Sequence, residues 1–106
     1  MALAAQQCEP CRVGTPPLAK EEAEELHRQT PQWTLKDKAI EREFQFQDFR
    51  EAMAFVNRLA EVAEQEGHHP DIYIYYNKVR LELSTHKIGG LSKNDFILAA
   101  KIDALA

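Results

Sequence analysis

Three of the chain's four histidines fall in one short stretch, EGHHPDIYIYYNKVRLELSTH, which runs from Glu66 to His86. His68 and His69 open it, and His86 closes it. Imidazole changes charge near neutral pH and also binds metal ions. Three converging imidazoles would suit general acid–base chemistry, or would hold a catalytic zinc ion. They would do neither if the first two merely leave a helix through a loop and the third ends a strand. Which reading applies depends on whether the chain brings the two ends of the stretch together.

The segments DIYIYYN and KVRLELSTH read as the two arms of a β-hairpin. With Asn77-Lys78 as a two-residue turn, Tyr76 faces Val79, Ile74 faces Leu81 and Ile72 faces Leu83. These six form one apolar face. Tyr75 opposite Arg80 and Tyr73 opposite Glu82 make the other face amphipathic. A one-residue slip would mix the two, so the alternation strongly constrains the register. Continued to the open end, it sets His69 opposite His86, and directly opposed residues have Cβ atoms about 5 Å apart. Pro70 distorts that end, so proximity is expected and not a ladder pair. His68 lies alongside, just past a helix C-terminus whose dipole favours the protonated imidazole. Glu64, four residues earlier, adds a carboxylate. Asp95 is open to two readings: it is the third residue of a helix that Ser92 begins, where it would cap, and it also follows the loop leaving His86, where it would orient an imidazole.

The remaining elements must hold this end in place. DFREAMAFVNRLAEVAEQEG is the strongest helix, with Asp48 and Glu51 at capping-box spacing and Gly67 as a left-handed terminator. Phe49, Met53, Val56, Ala60 and Ala63 form one apolar stripe. Phe55, Leu59 and Val62 form a second, wider than packing on a sheet requires. Leu18 to Gln29 reads as a helix with a thin stripe of Leu18, Ala23 and Leu26. WTLKDKAIEREFQF reads as a hairpin turning at Lys36-Asp37-Lys38, with Ile40, Arg42, Phe44 and Phe46 alternating against Glu41, Glu43 and Gln45. LSKNDFILAAKIDALA is the last helix. The order α-β-β-α-β-β-α predicts an α+β domain: a single four-stranded antiparallel sheet with three helices on one face.

Residues 1–17 show no period and end in Pro16-Pro17, so a flexible, solvated tail is expected there, with the domain over 18–106. The tail carries Cys8 and Cys11 as a CxxC pair, half of a zinc site or a redox couple, but no second CxxC or HxxxH accompanies it. The chain has 106 residues and a formal net charge of −4, a poor balance for direct nucleic-acid binding. It contains no run of about 18 apolar residues, so no membrane span is expected. The N-terminus lacks a basic region followed by a long apolar one, so a cytoplasmic location is expected.

At this point the spacing of Glu64, His68-His69-Pro70, Tyr76, His86 and Asp95 resembles the signature of the pterin-4a-carbinolamine dehydratases. YNKVRLELSTH, GLS with the following Asp95, and FQFQDFREAMAFVNRLAEVAE extend the likeness over Leu18 to Leu105, while Lys87 and Ile88 depart from it. The resemblance implies dehydration of 4a-hydroxytetrahydropterin to quinonoid dihydropterin, which recycles the tetrahydropterin of an aromatic amino-acid hydroxylase. It implies His68 and His86 as acid–base groups and His69 as a group that binds and positions substrate. Gly67, Ser84, Thr85, His86 and Lys87 would line the pterin, with Glu64 and Asp95 as supporting carboxylates. Neither a metal nor an organic cofactor is implied, since the pterin is the substrate. A homodimer or homotetramer is implied, with the second stripe of the central helix as its expected surface. Animal members also resemble a dimerisation cofactor for a transcription factor, which leaves a protein-binding role as the alternative.

Overall fold

The computed structural model of the chain describes residues 2–10 and 14–106; Cys11 lies outside them. The regular elements are α1 (Lys20–His27), β1 (Thr34–Leu35), β2 (Ile40–Gln45), α2 (Phe49–Glu66), β3 (Asp71–Tyr75), β4 (Lys78–Leu83) and α3 (Lys93–Asp103), with short 3-10 turns at Leu3–Ala5 and His86–Ile88. The expected α+β order is observed. The four strands form one antiparallel sheet in the order β1-β2-β4-β3.

Alternation along β2 and β4 divides the sheet into two chemically distinct faces. Ile40, Phe44, Val79, Leu81 and Leu83 are buried in one core with Phe55 and Leu59 of α2 and Phe96, Leu98 and Ile102 of α3. The opposite face carries Glu41, Arg80 and Glu82, joined with Lys36 in ion pairs of 3.0–3.5 Å. Arg42, on the core side, reaches Asp103 of α3, which also accepts from Trp33 Nε1 at 2.8 Å. The fourth histidine is structural: His27 Nε2 lies 2.6 Å from the Trp33 carbonyl oxygen.

Helix α2 begins where the sequence indicates. Asp48 Oδ1 accepts from Glu51 N–H at 2.9 Å, and Glu51 Oε1 accepts from Gln47 N–H at 3.1 Å. Its two stripes largely exchange the roles expected of them: of the first only Ala63 is buried, and of the second only Val62 is not. Ala52, Phe55, Leu59 and Ala63 are buried, whereas Phe49 is exposed and Met53 and Val56 are half-buried. The reason is shape: Phe44 and Phe46 of the sheet side meet Phe55 at ring-centroid distances of 4.8 and 5.0 Å, and Ala52 and Ala63 let the helix approach closely at either end. The expected interface residues Phe55 and Leu59 are therefore core.

The β3–β4 register also differs from the expected one. Ile72 faces Leu81, Ile74 faces Val79 and Tyr75 faces Lys78, so the turn is Tyr76-Asn77, one residue earlier. Asn77 is recruited by β2: its carbonyl accepts from Phe46 N–H at 2.8 Å, and its Nδ2 donates to the Phe46 carbonyl at 3.0 Å. Tyr76 consequently takes φ 54°, in the left-handed region, and its ring stacks on Phe49. Pairing moves by two residues, so every side chain keeps its face. Only β4 is buried, however; β3 is the edge strand, and Ile72 and Ile74 remain 37% and 39% exposed.

Residues 2–10 do not form the solvated tail expected from their lack of period. Leu3 is 3% exposed within the core cluster, and Lys101 Nζ of α3 donates to the Ala4 carbonyl at 2.9 Å. A single anchor residue and side-chain-to-backbone bonds need no repeating pattern, which is why the sequence is silent about them. Leu3→Ala is expected to destabilise the protein by about 2 kcal/mol or more, the cost of emptying a buried leucine site. Urea unfolding measures it; an unchanged midpoint would show that the segment contributes nothing to the fold.

Candidate active site

The site starts from the way α2 stops. Gly67 adopts φ 65° and ψ 26°, and its N–H and that of His68 both return to the Ala63 carbonyl. A Cβ on Gly67 would meet nothing within 4 Å, so glycine is required by the left-handed backbone and not by crowding. This turn sends His68 inward towards α3 and leaves His69 outside.

His68 Nε2 lies 2.5 Å from Asp95 Oδ1. Asp95 is fully buried, and its other oxygen, Oδ2, accepts from Ser92 N–H and from the Thr85 hydroxyl, each at 2.9 Å. Because Thr85 gives its only hydroxyl proton to Asp95, the 2.7 Å contact between Thr85 Oγ1 and Ser92 Oγ has Ser92 donating. The two readings of Asp95 are thus both realised, one on each oxygen: Oδ2 caps α3 and Oδ1 holds the imidazole. With Nε2–H donated to Asp95, His68 has Nδ1 left for a ligand.

Glu64 pairs with His69 and not with His68: its Oε2 lies 2.5 Å from His69 Nε2. Both side chains are largely exposed, so this pair orients His69 while adding little stability. His86 is reached by a different route from the one expected. β4 ends at Leu83 and β3 begins at Asp71, and the observed register would carry His69 towards Ser84, not His86. His86 instead opens the 3-10 turn His86–Ile88, in a loop closed by the Thr85–Gly90 bridge. Its side chain is exposed and has no hydrogen bond among the described residues.

The three histidines nevertheless line one cleft of about 460 Å³. Gly67, Ser84, Thr85 and Lys87 line it with them, and Asp95 stands behind His68. Glu64 lies outside the lining. A larger cavity of about 610 Å³, between α1, the β1–β2 turn and Gly89-Gly90, is lined by lysines, the carboxylates of Glu24 and Asp37, and apolar residues, but by no histidine or cysteine. Size favours that cavity; chemistry favours the histidine cleft, and reactive groups decide the assignment. Among the described residues no group of three or more His, Cys, Asp or Glu side chains is arranged to hold a metal ion.

Five lining residues escaped the sequence reading: Cys8, Glu9, Pro10, Glu66 and Asn94. Glu66 and Asn94 flank recognised positions, Gly67 and Asp95, and adjacency was the available signal. Glu9 and Pro10 give none, and Cys8 stands out in the sequence only as half of a CxxC pair. Cys8 is half-buried, and burial first, then the Glu66 carboxylate, pushes its thiol pKa up to about 12.

Known proteins resemble the chain in sequence and in fold. Residues 16–105 match the family model described as pterin 4 alpha carbinolamine dehydratase. A protein of Nitrosomonas eutropha provisionally named as such a dehydratase is 55% identical over 104 residues, 97% of this chain and 92% of its own. A relative from Methylococcus capsulatus with the same provisional name is 52% identical over 107 residues, 99% of this chain and 94% of its own. Among solved structures, a transcriptional coactivator/pterin dehydratase from Brucella melitensis superposes with a TM-score of 0.81 at 35% identity, covering 85% of this chain and 98% of that one. A pterin dehydratase-like protein identified as a RuBisCO assembly factor in the alpha-carboxysome superposes at 0.58 and 27% identity, covering 70% of this chain and 86% of that one. The chain belongs to the pterin-4a-carbinolamine dehydratase family.

Proposed function

We propose that the protein dehydrates 4a-hydroxytetrahydropterin to quinonoid dihydropterin, with His68 and His86 carrying the two proton transfers. The observation that carries this reading is the buried Asp95 carboxylate holding His68 at a cleft that His86 also lines. In the reaction the C4a–O bond breaks, the hydroxyl leaves as water after gaining a proton, and N5 loses a proton as the C4a–N5 double bond forms. His68 is the donor to the departing hydroxyl through Nδ1, because Asp95 fixes its Nε2 and balances the positive charge carried when both nitrogens are protonated. His86, with no protein partner among the described residues, takes the N5 proton. His69, oriented by Glu64, holds the substrate. The reaction calls for no metal and no organic cofactor, and it would restore tetrahydropterin to an aromatic amino-acid hydroxylase through a later reduction. No helix among the described residues is long and apolar enough to cross a membrane, in keeping with a cytoplasmic setting.

The chain also carries surfaces suited to a homo-oligomer. Phe49, Met53, Val56 and Ala60 follow one another along the outer face of α2, and Tyr76 stacks on Phe49 beside the open edge of β3. Exposed apolar patches of this kind mark interfaces. The same surface supports the second reading, a protein-binding role like those of the transcriptional coactivator and the RuBisCO assembly factor among the structural neighbours.

Positioned acids and bases typically contribute about 10²–10⁴-fold in rate. His68→Ala and His86→Ala are each expected to lower kcat within that range, and His69→Ala to act mainly through KM. Steady-state dehydration kinetics tests this; near-wild-type kcat in either of the first two variants would remove that residue from proton transfer. If the protein acts by binding a partner instead, all three variants will keep that binding and the wild type will show no turnover.

Sedimentation is expected to show an oligomer at micromolar concentration, and Val56→Glu is expected to shift it towards monomer. A wild-type monomer would contradict the assignment of the α2 face.

A further inference from the structure

The segment Cys8–Pro10 lies outside the residues that match the family model, yet it lines the histidine cleft. Its position is built, not incidental. Asn94 grips Glu9 from both sides: Oδ1 accepts from Glu9 N–H at 2.9 Å, and Nδ2 donates to the Glu9 carbonyl at 2.5 Å. Cys8 N–H donates to Glu66 Oε1 at 2.8 Å, and Lys101 approaches Glu66 Oε2 at 3.9 Å. Leu3 anchors the start of the segment in the core. Asn94 precedes Asp95, so one turn of α3 sets both the His68 ring and this wall.

The wall supplies what the rest of the cleft lacks. Besides its hydroxyls, the cleft presents three imidazoles and the Lys87 ammonium, none of which is an anionic acceptor. Of its two carboxylates, Glu66 is already engaged by the Cys8 N–H and Lys101. The Glu9 carboxylate is exposed and has no hydrogen bond or ion pair among the described residues. A pterin presents two adjacent donors on its pyrimidine edge, N3–H and the 2-amino group, which match a carboxylate in a bidentate pair.

We propose that Cys8–Pro10 form a substrate-binding wall of the cleft, in which the Glu9 carboxylate receives the N3–H and 2-amino donors of the pterin. This rests on the pterin reading above. The Cys8 thiol contributes bulk and not nucleophilic attack, since burial and Glu66 keep it protonated.

The test uses the full chain, with 7,8-dihydrobiopterin as a stable probe. Glu9→Ala and Glu9→Gln should raise KM for the carbinolamine and the inhibition constant of the probe by about tenfold or more, through loss of the charge-assisted pair. Glu9 is an exposed position, so its substitution leaves the fold in place. Saturating probe should slow hydrogen–deuterium exchange at the Cys8 and Glu9 amides, whose N–H groups bond to Glu66 and Asn94. Protection of these amides with an unmoved KM would overturn the role of Glu9, and an unmoved KM without protection would overturn the wall. A wild-type protein that neither binds the probe nor turns over the carbinolamine would overturn the pterin reading itself, a result distinct from both.

Discussion

One buried carboxylate ties the fold to the chemistry. Asp95 receives Thr85 from the end of β4, Ser92 N–H at the start of α3, and His68 from the turn that ends α2. These three chain segments meet at this one side chain, and their meeting point is where the cleft opens. An isolated buried charge would be strongly destabilising, but three donors divided over two oxygens offset that cost. Removing one partner of such a buried pair typically costs about 3–5 kcal/mol. The capping bond that starts α3 and the bond that orients His68 cannot be separated, since they belong to one side chain. The site is therefore as rigid as the junction of the elements that hold it.

Much of this was legible because side-chain period is a property of the sequence itself. The faces of β2, β3 and β4 follow from alternation, and they survive the misplaced turn because a shift of two preserves parity. The turn itself was not legible: Asn77 is drawn into it by Phe46, the residue just past β2, and no local propensity predicts that bond. The exchange of stripes on α2 has the same origin. Both stripes have helical spacing, and only the shape of the opposing Phe44 and Phe46 selects Phe55 and Leu59 for the core.

The three histidines converge on one cleft by a route that strand alternation does not describe. His86 reaches the cleft through a 3-10 turn closed by Thr85 and Gly90, not through the strand ladder. Glu64 serves His69 because Gly67 separates the two histidines, turning one inward and leaving the other in solvent. The N-terminal segment was invisible for a different reason. Its attachments are a lone leucine and bonds from Asn94, Glu66 and Lys101 to backbone atoms, and such contacts leave no periodic trace.

The central claim is that Asp95 acts on the reaction through His68. A double-mutant cycle on kcat for carbinolamine dehydration, built from His68→Ala and Asp95→Asn, tests it most directly. Circular dichroism of each variant establishes that the fold persists. If the carboxylate works by holding and balancing that imidazole, the double variant will be no slower than His68→Ala alone. Multiplicative losses from the two substitutions would contradict the account, because Asp95 would then be acting on the reaction by a route that does not pass through His68.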